Sequence, residues 1–175
     1  CAAHRVGKII LAKGGLLSTP AASNLIRIKN ALGGIILSAS HNPGGIEGDF
    51  GVKLNVSNGG PAPESVTNNI FKISQSLTSY KICELAIPVL DKCGVYRLEA
   101  MELEIIDGVE DYVYLMENIF DLDQISDFLK TDFPIVFDAM NAVTGPYARK
   151  LFVERIGLSN ESLINSIPLI DFGGL

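Results

Sequence analysis

Gly33–Gly45 reads "GGIILSASHNPGG". A strand-sized apolar run opens into a loop holding two serines, a histidine, an asparagine, a proline and two glycines. Aliphatic residues in a short run bounded by turn formers mark a buried strand. Upstream, "VGKIILA" (Val6–Ala12) has the same character and is followed by Gly14-Gly15. Between the two, "STPAASNLIRIKNALGG" predicts a helix. Thr19 suits its N-cap, Pro20 its first turn and Gly33-Gly34 its stop, with Leu25, Ile28 and Leu32 on the apolar face. Strand, helix and strand within about 30 residues predict a βαβ unit with a right-handed crossover. The loop then lies beyond a strand's carboxyl end, where open α/β sheets bind ligands.

Downstream, "FGVKLNV" (Phe50–Val56) alternates as a strand, with Val52, Leu54 and Val56 toward the core and Lys53 and Asn55 on the other side. "SNGGPAPE" is a turn. "PESVTNNIFKISQSL" predicts an amphipathic helix with Val66, Ile70, Ile73 and Leu77 on one face. "KICELAIPVLDKCGVYRLEA" is compatible with a hairpin or an irregular linker. "MELEIID" predicts a strand, "GVEDYVYLMENIF" and "DLDQISDFLK" two helices, "FPIVFDAM" a further strand, and "NAVTGPYARKLFVERIG" a turn and helix closed by a glycine. The pattern is α/β, with mixed, mostly parallel sheets flanked by helices. It falls into two successive units, residues 1–107 and 108–175.

The 175 residues are 47% hydrophobic, ample for a core. No apolar run approaches the ~20 residues of a membrane span. A net charge of −6 argues against a nucleic-acid partner, which needs a dense positive face, but leaves room for an anionic small molecule held by local cations. Three cysteines, Cys1, Cys83 and Cys93, make neither a disulfide framework nor a zinc site and suit reduced thiols in the cytoplasm. The chain opens on Cys1 rather than Met and stops just after "LIDFGG". Both ends suggest part of a longer protein.

Ser40 beside His41 invites comparison with a hydrolase. Neighbouring side chains diverge in extended backbone, however, and the G-x-S-x-G elbow is missing. A phosphate site fits better. Gly44, Gly45 and Gly48 can turn backbone N–H groups toward an anion, although the Walker pattern is absent. His41 and Lys53 could supply positive charge or move protons. From pattern alone, Ser40 reads first as a turn-capping serine, while His41 reads equally as a turn residue and Lys53 as a solvated edge lysine.

"GGIILSASHNPGGIEGDFGVKLNVSNGGPAPE" (Gly33–Glu64) resembles the active-site segment of the eukaryotic phosphoglucomutase family, in the α-D-phosphohexomutase superfamily. The carrying motifs are S-A-S-H-N-P, G-D-F-G-x-K and N-G-G-P-A-P. "GGLLSTPAAS", "DAMNAVTGPYARK" and "PLIDFGG" extend the likeness along nearly the whole chain, weakest over 81–104. Ser38 stands where many relatives carry Thr, and "NAVTG" differs from the commoner "HGVVG".

The resemblance implies two incomplete phosphohexomutase domains, the later part of the first (1–107) and the early part of the second (108–175). It implies an isomerase that interconverts glucose 1-phosphate and glucose 6-phosphate. Ser40 would carry the phosphoryl group and glucose 1,6-bisphosphate would be the intermediate. Lys53 would be the acid–base group at the sugar hydroxyl and His41 a contact to the transferring phosphoryl. Asn42, Gly44 and Gly45 would line the phosphate site. Mg²⁺ would be held by Ser40 through its phosphate together with three aspartates of a D-G-D-G-D-R loop, a string this sequence lacks. A chain without that loop and the sugar-binding domains is expected to be inactive alone. The full-length protein would be a cytoplasmic monomer acting on a hexose phosphate. Two rivals follow from the same resemblance: a non-catalytic cytoskeletal or vesicle-associated relative, and a mutase for another hexose phosphate.

Overall fold

The computed structural model describes residues 1–40, 42–43, 46–99 and 101–174. Two compact units are present, one made of Cys1–Gly15 and Ala22–Ile106, the other of Leu16–Ala21 and Asp107–Leu175. The class is α/β with small mixed sheets.

In the first unit, β1 (Lys8–Ala12), β4 (Gly94–Leu98) and β5 (Met101–Ile106) form a sheet in the order β1-β5-β4. The β1–β5 pair is parallel and the β4–β5 pair antiparallel. Strand β5 alternates as "MELEII" requires. Met101, Leu103 and Ile105 are buried, while Glu102 and Glu104 point to the other face and bind Lys8 at 2.8 and 2.7 Å. Lys29 adds a third ion pair, to Glu104 at 3.3 Å. The Lys8 ammonium holds the Glu104 carboxyl below the usual carboxylate range, and its two glutamates hold Lys8 above its ordinary value.

The βαβ expectation is overturned. Strand β2 (Gly33–Leu37) does not share a sheet with β1. It forms an antiparallel pair with β3 (Val52–Val56), from Gly33↔Val56 to Leu37↔Val52. Hydrophobic patterning marks a segment as a strand but does not name its neighbour. Here Lys8 of β1 meets Glu102 and Glu104 of β5, and the loop after β2 returns directly to β3. The facing of β3 is also corrected. Val52 is 65% exposed and Asn55 is 5% exposed. The amide of Asn55 donates to Gly59 O at 2.9 Å and Ser23 Oγ at 3.2 Å, so burial costs it no hydrogen bond. Its cross-strand partner, Gly34, lies on the same face, where an added Cβ would come within 2.8 Å of Ile26 Cδ1.

Helix α1 (Thr19–Ile28) starts at Thr19, the predicted cap, one residue earlier than expected. Ser18 Oγ, not Thr19, accepts from Ala21 N at 3.3 Å. Its buried residues include Leu25 and Ile26, whereas Ile28 and Leu32 are exposed. Helix α2 (Glu64–Ser76) forms where expected, yet Val66, Ile70, Ile73 and the following Leu77 are all exposed. Residues 77–93 contain no helix or strand, and the linker gives way to the β4–β5 hairpin.

The second unit contains α3 (Glu110–Ile119), α4 (Leu122–Leu129), β6 (Phe137–Asp138), α5 (Thr144–Ala148) and β7 (Leu163–Ile164). Asp121 caps α4 by accepting from Gln124 N at 3.0 Å. Helix α5 runs on into a π-helical stretch, Arg149–Arg155. The strand expected over "FPIVFDAM" pairs only at Phe137 and Asp138, parallel to β7. Buried Ser126 donates from Oγ to Ile156 O at 2.9 Å, tying α4 to the end of that π-helical stretch. Among the described residues no helix is long and apolar enough to cross a membrane.

Candidate active site: a serine loop at a hairpin tip

The β2–β3 pairing continues past the strands. Ser38 N donates to Gly51 O at 3.0 Å and Gly51 N donates to Ser38 O at 3.1 Å. A Cβ at position 51 would lie 2.5 Å from Ser38 O, so only glycine permits this closure. The serine loop is therefore the tip of an antiparallel hairpin, not the outlet of a parallel strand. Both legs of its backbone are held by the ladder, which gives the loop a rigid base.

Ser40 has φ +63°, in the left-handed region that non-glycine residues seldom enter. Its N–H donates to Ser38 Oγ at 2.9 Å, a local bond that supports the turn. Asn42 N donates to Ala39 O at 3.2 Å. Farther round, Asn42 Nδ2 donates to Asp49 Oδ2, and Asp49 N donates to Pro43 O at 2.8 Å. The Asn42–Asp49 clasp spans the loop mouth. It leaves Asn42 a second amide proton for another acceptor.

Lys53 lies on β3 opposite Ile36, two ladder positions from the Ser38–Gly51 pair. Strand alternation puts it on the face shared by Ser38, Gly51 and Asn55, and it is exposed. The hairpin thus gathers Ser38, Ser40, Asn42 and Asp49 in the loop and carries Lys53 on the adjoining strand. His41, Gly44 and Gly45, expected in the same site, lie outside the described residues. Sequence reasoning missed the parts played by Ser38, Asp49 and Gly51. The G-D-F-G string carries the last two, but the bond from Asp49 to Asn42 depends on the loop turning back.

Three comparisons place the chain among known proteins. Residues 2–81 match the family model of phosphoglucomutase/phosphomannomutase, alpha/beta/alpha domain I. The phosphoglucomutase of Emericella nidulans is 51% identical over 175 residues, which are 99% of this chain and 32% of that protein. Phosphoglucomutase 1 of Drosophila melanogaster is 46% identical over 183 residues, 99% of this chain and 33% of that protein. Among solved structures, the exocytosis-sensitive phosphoprotein pp63/parafusin from Paramecium, described as a phosphoglucomutase in its open form, superimposes with a TM-score of 0.84. It is 42% identical, over 97% of this chain and 33% of that one. The chain spans about a third of the length of the curated relatives it matches. Identity near one half along essentially the whole sequence, with the same backbone, leaves one assignment: the chain belongs to the phosphoglucomutase/phosphomannomutase family.

Proposed function

We propose that this chain supplies the phosphoryl-carrying part of a phosphoglucomutase, with Ser40 as the carrier. The observation that carries the reading is the display of Ser40 in left-handed backbone at the tip of a ladder-closed hairpin. Strain of this kind is kept where the surroundings hold it for a purpose. In the proposed cycle, the phosphoryl of phospho-Ser40 passes to the free O6 hydroxyl of glucose 1-phosphate. The P–O bond to Ser40 Oγ breaks as the bond to O6 forms, and Lys53 takes the hydroxyl proton. Glucose 1,6-bisphosphate results. After it turns over, the C1 phosphoryl returns to Ser40 Oγ, O1 recovers a proton, and glucose 6-phosphate leaves. His41 contacts the moving phosphoryl, and Asn42, Gly44 and Gly45 line its site. Such a transfer needs positioned groups and neutralised charge more than covalent help.

The family is consistent with a metal cofactor. Magnesium asks for about six oxygens in octahedral array. The Asp49 carboxylate is already bonded to Asn42, and no cluster of three His, Cys, Asp or Glu side chains suited to a metal is found among the described residues. These residues alone do not fit the ion, and no step above is routed through it. Residues 1–107 and 108–175 stand in this reading for parts of the first and second phosphohexomutase domains. The full-length protein acts as a cytoplasmic monomer on a hexose phosphate.

A second reading has one observation in its favour. The Paramecium neighbour is described as an exocytosis-sensitive phosphoprotein as well as a phosphoglucomutase. A partner role without catalysis would leave Ser40 unlabelled. The test is to offer the full-length protein glucose 1,6-bisphosphate carrying labelled phosphate. Labelled Ser40, lost in Ser40→Ala along with turnover, is the expected result. A folded protein that isomerises glucose phosphates fully without the Ser40 hydroxyl would overturn the proposal. Parallel rates on glucose and mannose 1-phosphates would set the sugar.

A further inference from the structure

The segment Leu54–Ala62 ("LNVSNGGPA") holds an Asn-Gly pair in a turn bonded on every side. Val56 O accepts from Gly59 N at 2.8 Å, and Val56 N donates to Gly60 O at 2.9 Å. Gly59 has φ +83°. This is a three-residue hairpin loop closed by a left-handed glycine. Asn58 Oδ1 accepts from Gly60 N at 2.7 Å. Gly59 is buried close against Ser23 O, and an added Cβ would also stand 2.7 Å from Arg27 Nη1. The Asn55 amide fastens the loop from beneath, donating to Gly59 O and Ser23 Oγ.

Asn-Gly is chemically labile because glycine leaves the peptide nitrogen open to attack the preceding side chain. The Gly59 nitrogen adds to Asn58 Cγ, its proton is lost to solvent, and ammonia leaves. Water then opens the cyclic imide at either carbonyl, giving aspartate or isoaspartate. Two groups that this reaction must free, the Gly59 N–H and the Asn58 side-chain carbonyl, are both hydrogen-bonded here. We propose that Asn58 is a deamidation site which the folded turn keeps silent and which local opening of the hairpin switches on. Water is the only co-reactant. The two products differ in effect. Aspartate keeps an oxygen for Gly60 N, whereas isoaspartate lengthens the main chain by one carbon and pushes Gly59 off Ser23. A chain that has opened is thereby marked by a change that hinders its reclosing.

The test ages the full-length protein in mildly alkaline buffer, native and in urea. Peptide mapping with fragmentation follows deamidation at Asn58, and enzymatic labelling detects isoaspartate. Having to break two hydrogen bonds first slows the native reaction by about tenfold or more relative to the unfolded chain. Asn55→Ala should raise the native rate several-fold and leave the rate in urea unchanged. Where that variant does not fold, Ser23→Ala, which removes only the bond to the Asn55 amide, makes the same comparison. Equal native and unfolded rates, or a folded variant with an unaltered native rate, would overturn the proposal. Neither readout depends on mutase activity.

Discussion

The Asn42–Asp49 clasp gives the sharpest handle on the serine loop. Each residue holds the other across the loop mouth, next to a Ser40 kept at φ +63°. Asp49→Ala removes the side-chain bond but keeps the Asp49 N–H to Pro43 O. One exposed hydrogen bond to a carboxylate contributes on the order of 1 kcal/mol. Losing it lowers the closed-to-open ratio of the loop by about fivefold. If phosphoryl transfer needs the closed loop, kcat for the full-length enzyme falls by up to that factor, less where the loop is mostly closed to begin with. Asn42→Asp is worse, because two carboxylates then face each other. The double variant Asn42→Asp/Asp49→Asn restores a donor and an acceptor in reversed order with no change of net charge. Hydrogen exchange at the residue-49 amide should return to its original rate, while turnover recovers only the part lost through loop opening, because Asn42 also lines the proposed phosphate site. A double variant whose residue-49 amide exchanges as fast as in Asn42→Asp would refute the clasp.

Gly59→Ala combines a left-handed φ with a clash against Ser23 O, so a loss of at least about 2 kcal/mol is expected in urea unfolding of the first unit. Ser126→Ala leaves the buried Ile156 carbonyl without its hydroxyl partner and should cost about 1–2 kcal/mol in the second unit. The Glu104 carboxyl titrates below its ordinary value in the folded chain. Its contribution is therefore complete above the unfolded carboxylate pKa and fades as pH falls through the lower folded value. The stability advantage of wild type over Glu104→Gln, read from urea midpoints, should shrink on acidification; a constant gap across that range would contradict it. Lys53→Met should cut kcat strongly in the full-length enzyme, and retained activity would remove Lys53 from the proposed proton path.

Local chemistry made much of this molecule legible in advance. Apolar runs marked β1 and β2, and "MELEIID" was legible as the strand β5. The helices after Gly108 and the glycine stop at Gly157 are likewise short-range matters of propensity and φ, which neighbouring residues settle among themselves. The serine motif was legible too, since an apolar run ending in S-A-S-H-N-P-G-G is distinctive as a string. Partnership was not. That β2 pairs with β3 rather than β1, that Asn55 rather than Val52 is buried, and that Asp49 returns to clasp Asn42 all depend on groups remote in sequence meeting in space. A strand's pattern states which side chains want burial, but its two hydrogen-bonding edges are alike in every sequence, so only the packed chain decides what each edge meets.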